Sequence, residues 1–261
     1  MNLTRKKELF FLLLYQEITS KYRNNYLGIS WILITPLFML SIYTFVFGYV
    51  FAIKWPGFVG TNLFEFSLIL YSGLVFYNTF SEAVSRSPTI IIENSNFVKK
   101  VVFPLEILTV ISTISSLITL IINLFLILLF KAVLFSEIQI ESLYIFLIIL
   151  FFIIMILGIT WIFAAIGVFI RDISHLISNG VQGLLFLSPI FYPISSLPEW
   201  LQSIILFNPI SVPVEQARKV IIFNEHPDLQ ILFIYGVASF LIAIIGYFCF
   251  YKSKKGFADV I

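Results

Sequence analysis

The reactive side chains are few. His175 and His226 have no Cys or His neighbour at ligand spacing, so the sequence predicts no metal site. Cys249 is the single cysteine, which excludes an intramolecular disulfide and leaves the redox compartment unread. Glu82 and Glu106 lie near the ends of apolar runs rather than at their middles. No carboxylate or histidine pair is therefore placed for acid–base work at membrane depth, which argues against a glycan or lipid transferase and, weakly, against ion-driven transport. No glycine precedes a lysine anywhere, so the glycine-rich loop that cradles nucleotide phosphates is missing. If ATP drives this protein, another chain must bind it. What remains is recognition: ion pairing at the ends of apolar runs, and contact with aromatic rings.

The elements that position these groups follow from hydropathy. Of the 261 residues, 60% are hydrophobic and 11% charged, with a mean hydropathy of +1.03. That composition predicts an all-α polytopic membrane protein. A net charge of +2 gives no reason to expect a nucleic-acid partner. The first apolar run, Leu9–Tyr15, is followed by Gln16-Glu17, not a small-residue cleavage site, so no cleavable signal is expected. A span needs roughly 20 apolar residues. Six runs are candidates: Ile29–Ile53, Phe66–Val84, Ile107–Phe130, Leu143–Ile170, Leu176–Phe191 and Leu229–Tyr251. This layout puts twelve lysines and arginines on one side and four on the other, which predicts both termini in the cytoplasm.

The connecting segments carry the candidate sites. Residues 1–28 predict an interfacial amphipathic helix, with Lys7, Glu17, Lys21 and Arg23 as polar surface; it is either a plain anchor or a docking element. Gly28 permits a sharp turn into the first span, and Pro36 is expected in that span's first turns. Residues 85–103 form a loop on the same side. Pro88 marks a helix start, and Asn94, Ser95 and Asn96 its end, giving a helix of about two turns that carries Ile90, Ile91, Ile92 and Glu93. Exposed isoleucines there would fit a partner groove or dip into headgroups. Ser112, Ser116, Thr119 and Asn123 share a face of the third span and predict close helix packing, with pore lining as the alternative. Tyr43, Phe47 and Phe51 recur every four residues, and Phe186 and Tyr192 stand near the end of the fifth span. Such rings suit either packing or a weakly binding conduction path. Arg171 and Asp172 occupy the tight turn before the fifth span.

Residues 193–227 are broken by Pro193, Pro198 and Pro209 amid apolar residues. They predict two short helices, Pro198–Phe207 and Pro213–Phe223, the first capped by Ser195 or Ser196. Trp200, Leu201, Ile204 and Phe207 share one face of the first. A re-entrant hairpin of this kind is tolerated where protein or water surrounds it, so it is read as an outer lid or an inert cap.

The stretches YRNNYLGISWILITPL, FVKKVVFPLEIL, FIRDIS and SPIFYPISSLPEWLQSIILFNPIS running on to EQAR occur in the order found in permease subunits of type-2 ATP-binding-cassette exporters. The chain resembles their polysaccharide-exporting class (O-antigen, capsule and teichoic acid) along nearly its whole length. The resemblance implies a homodimer in the cytoplasmic (inner) membrane with two ATPase subunits, which bind the ATP and Mg; no cofactor is expected in this chain. It implies that the N-terminal helix and the Pro88–Asn96 region, with Ile91 and Glu93, seat the ATPase, and that the hairpin helices are outer gates. The cargo would be a lipid-linked glycan; drug or lipid exporters share the fold and are the alternative.

Overall fold

The computed structural model describes residues 3–21, 26–50, 63–99, 104–135 and 139–261. Helix α1 is Leu3–Ser20 and α2 is Trp31–Tyr43, running on as a wider π-helix over Thr44–Val50. Then come α3 Leu63–Arg86, α4 Ile90–Glu93, α5 Ser95–Lys99, α6 Glu106–Phe135, α7 Ile145–Phe169 and α8 Ile173–Leu187. Last are α9 Glu199–Leu206, α10 Ser211–Ile221, α11 Leu229–Ser253 and the short α12, Phe257–Val260. Among the described residues there is no strand.

Among the described residues, three segments are long and apolar enough to cross a membrane: Glu106–Val133, Ile140–Phe169 and Leu229–Val260. Apolar helices of 10–17 residues cover Trp31–Val46 and Ile173–Leu187. The helix Leu63–Arg86 has 24 residues and lies against α6, α7, α8 and α10, which bury nearly all of it from Phe66 to Phe80. Gly28 adopts φ +51°, the left-handed turn that lets the chain pass from α1 into α2. Pro36 is the sixth residue of α2, within its first two turns as the sequence predicts, and is buried there.

The tightest pair is α7 against α11. A Cβ on Gly246 would stand 2.2 Å from the Gly158 carbonyl oxygen, so backbone meets backbone where side chains are absent. On α6 the small polar face packs within the chain, as one of the two readings had it. Ser112, Ser116 and Asn123 are buried, and Tyr71 donates to Asn123 Oδ1 at 2.5 Å.

The loop after α3 differs from its prediction. It is two short helices, α4 and α5, not one of two turns, and Pro88 lies in the preceding turn. Ile90 and Ile91 are 3% and 0% exposed, packed among Leu105, Leu108, Ala164, Val168 and Phe257. The expectation of an exposed isoleucine surface is therefore corrected: α6 and α7 lie against α4 and bury Ile90 and Ile91, leaving Ile92 half-buried.

Candidate functional site

The predicted site residues gather at the two ends of the helical bundle. At the loop end, a cavity of about 400 Å³ lies between α1, α3, α4, α5 and α6. Glu17 on α1 pairs with Arg86 at the end of α3, and Arg86 reaches on to Glu93 at 3.7 Å. Lys21 pairs with Glu82 one turn earlier on α3. Thr89 donates to Glu93 Oε1 at 2.7 Å, and the Asn94 amide donates to the Ile90 carbonyl at 2.8 Å, closing α4. Glu93 and Asn96 are exposed, whereas Pro88 and Ile91 are buried supports. Lys7 is exposed beside Phe11, Leu12 and Tyr15, which also face outward. Arg23 falls outside the described residues. Sequence reasoning gave Glu17 and Lys21 as polar surface and placed Glu82 at the end of an apolar run, but it paired neither Glu17 with Arg86 nor Lys21 with Glu82, because the pairings span sequence-distant helices.

Arg171 and Asp172 stand exposed in the turn before α8, and Asp172 occupies the N-cap position without a side-chain hydrogen bond. Tyr43 is half-buried against the main core. Phe47 lies in the π-helix with its side chain outside the described set, and Phe51 is not described. Phe186 is exposed and stacks on Phe191 with centroids 6.1 Å apart, while the Tyr192 hydroxyl donates to the Phe186 carbonyl at 3.2 Å. Asn179 and Gln182, which the sequence reading passed over, are exposed along the same α8 flank as Phe186. Their i, i+3 spacing in an apolar helix was the available signal.

The other end is the hairpin. Helix α8 stops at Leu187 because Pro189 has no N–H to continue it. The Asn208 amide donates to Ser188 Oγ at 2.9 Å, and the Tyr235 hydroxyl donates to the Pro209 carbonyl at 2.9 Å, so the Asn208-Pro209 break is pinned to α8 and α11. No serine caps α9: Pro198 holds the N-cap position, and Ser196 instead donates to the Pro193 carbonyl. Trp200, Ile204 and Phe207 are exposed and Leu201 is half-buried, while Ile205 anchors the helix inward. Helix α10 begins two residues earlier than expected, with Pro213 inside its first turn, and is almost wholly buried.

Arg218 on α10 is the residue that holds this end together. It is 1% exposed. Its guanidinium donates to the carbonyls of Ile69 on α3 (3.1 Å), Pro189 (2.5 Å) and Ile190 (2.8 Å), and meets Glu215 at 3.4 Å. The fork thus satisfies the Pro189 and Ile190 carbonyls, which the proline break removed from any helix, and ties them to α3 at Ile69. Burial lowers its pKa to about 10, opposed by Glu215, so it stays protonated at neutral pH. Burial in turn pushes the Glu215 carboxyl up, against the pull of Arg218 and Lys219. Lys131 of α6 donates to the Ile221 carbonyl at 2.5 Å and to Asn224, which adopts φ +58°. A cation is thereby set on the carbonyl end of α10.

A family profile described as ABC-2 type transporter matches residues 8–222. The chain is 24% identical over 255 residues to the O-antigen export system permease protein RfbA of Klebsiella pneumoniae, covering 97% of this chain and 95% of that one. It is 24% identical to the protein of the same name from Myxococcus xanthus, covering 95% and 94%. It is 25% identical to the polysialic acid transport protein KpsM of Escherichia coli, covering 89% of each.

Proposed function

The chain belongs to the ABC-2 type transporter family, and from that premise we propose that it is the membrane subunit of an ATP-driven polysaccharide exporter. The observation that carries the cargo is end-to-end likeness: relatives named for O-antigen export and polysialic acid transport align over 89% or more of this chain. ATP is hydrolysed in a separate subunit. Two permeases assemble with two such ATPases in the cytoplasmic membrane, six helices of each cross it, and the exposed Asn179–Gln182–Phe186 flank of α8 faces the partner copy or the path between copies.

Both termini and the loop end face the cytoplasm in this reading. Of the four basic residues counted on the opposite side, Lys131 and Arg218 are buried and bonded to carbonyls. Setting them aside sharpens the charge asymmetry. The ATPase seats on α1 and on the exposed Glu93 and Asn96. Its movement passes through Glu17–Arg86 and Lys21–Glu82 into α3. The same helix offers the Ile69 carbonyl to Arg218, so α3 joins the seat to the hairpin over about 26 Å at 1.5 Å per residue. The hairpin helices then act as the outer gate, with Trp200, Ile204 and Phe207 on its free face.

Deleting the chain and measuring surface polysaccharide tests the reading. Loss of surface glycan, with glycan held in the cytoplasm and restored by the intact gene, is expected. Unchanged surface glycan with raised drug sensitivity would move the cargo to small molecules.

A further inference from the structure

A second cavity, of about 270 Å³, opens between α2, α3 and α6. It runs from Trp31 and Glu82, near the loop end, to Tyr43, Tyr71 and Asn123 deeper along the bundle. Among the described lining residues Glu82 alone is charged, and it is paired with Lys21. The deep wall is neutral: Tyr71 donates to Asn123 Oδ1 at 2.5 Å, and Asn123 donates to a backbone carbonyl of its own helix at 2.7 Å. Asn78 is the one exposed position between Phe66 and Phe80 of α3, and it lines this cavity. Its amide has no hydrogen-bond partner among the described residues, although the helix around it is buried and apolar. A carboxamide left to hydrocarbon is unfavourable, so the cavity wants a polar occupant.

We propose that this cavity is a subsite for one neutral sugar ring. Trp31 supplies aromatic surface for the ring's C–H face and Asn78 an uncharged partner for its hydroxyls, while the Tyr71–Asn123 pair closes the neutral deep end about 10 Å further along α3. Among the described lining residues there is no cation to hold a phosphate or an acidic sugar. The volume sits just under the roughly 300–1,000 Å³ of pockets for drug-sized ligands, which suits one ring and not a chain segment. Two sources present that chemistry: the exported glycan and the headgroup of a membrane glycolipid. The site stands on the cavity, whereas assigning its sugar to the cargo rests on the exporter reading.

The test uses the permease–ATPase complex in phosphatidylcholine nanodiscs, titrated with methyl β-D-glucopyranoside and followed by tryptophan emission. The chain has four tryptophans, so the Trp31→Phe variant isolates the reporter. A saturable change is expected, absent in Trp31→Phe, about tenfold weaker in Asn78→Leu and largely kept in Asn78→Gln. Asn78→Ala, which adds no bulk, repeats the loss should the leucine variant fail to assemble. The corresponding methyl glucuronide should give no change. A second arm replaces the soluble glycoside with monoglucosyl diacylglycerol in the disc; a response there alone assigns the ring to a glycolipid headgroup. No response in either arm, or wild-type affinity in both Asn78→Leu and Asn78→Ala, overturns the proposal. Failed binding with surface glycan still dependent on the chain leaves the exporter reading standing; retained binding without that dependence does the reverse.

Discussion

The two ends of α3 are fastened by opposite means. At the loop end, Arg86 and Glu82 hold α1 through ion pairs whose side chains are 16–37% exposed. At the hairpin end, the Ile69 carbonyl is held by a guanidinium that is 1% exposed and bonded to two further carbonyls. Exposed pairs contribute about 0–1 kcal/mol and exchange readily with water. A buried cation has no water to return to, so breaking its contacts costs several times more. The loop end is thus built to be moved, and the hairpin end to travel as one piece with α3.

The sharpest way to break that contrast is Arg218→Leu. It leaves the Pro189 and Ile190 carbonyls without this donor, strips the Ile69 carbonyl of one of its two side-chain donors, and should cost about 3 kcal/mol or more. The expected result is little folded permease, read as monodisperse yield and thermal unfolding in detergent. Arg218→Lys keeps the charge but has no planar fork, and should recover only part of the stability. Wild-type yield for Arg218→Leu would mean that the hairpin does not depend on this anchor.

A smaller effect is expected from Lys131→Met, which removes the cation from the end of α10 but leaves Asn224 to turn the chain. The loss should be about 1–2 kcal/mol, a fall in unfolding temperature of several degrees for a chain of this size. A fall as large as that of Arg218→Leu would shift the anchor from the guanidinium to the helix cap.

The sequence made the long apolar elements legible: α6, α7 and α11 follow from length alone, and the prolines around Pro193 and Pro209 announce the hairpin. It did not make Arg218 legible. In the chain it reads as a flanking charge beside Lys219, and its acceptors lie 29, 28 and 149 positions away. The only local sign was Glu215 three residues before it. Ile90 to Ile92 misled for a related reason. Consecutive isoleucines have no helical period, so nothing local says which of them α6 and α7 will cover. Charge pairing across α1 and α3 was hidden in the same way, since Glu17 and Arg86 are 69 positions apart.

The smallest effect on stability, and the most informative on coupling, is expected at the loop end. Arg86→Glu places like charges against Glu17 and Glu93, yet the group is exposed enough that stability should change by about 1 kcal/mol or less. If α3 is the strut, the ATPase should keep hydrolysing while glycan export per ATP falls. Glu17→Arg combined with Arg86→Glu restores an opposite pair across α1 and α3, and should recover export without altering unfolding temperature. A single variant that exports normally would break the comparison at its weak end, because the ion pairs would then be decoration on a seat that moves α3 by packing alone. A single variant that unfolds like Arg218→Leu would break it differently, by showing that both ends of α3 are fastened with equal strength.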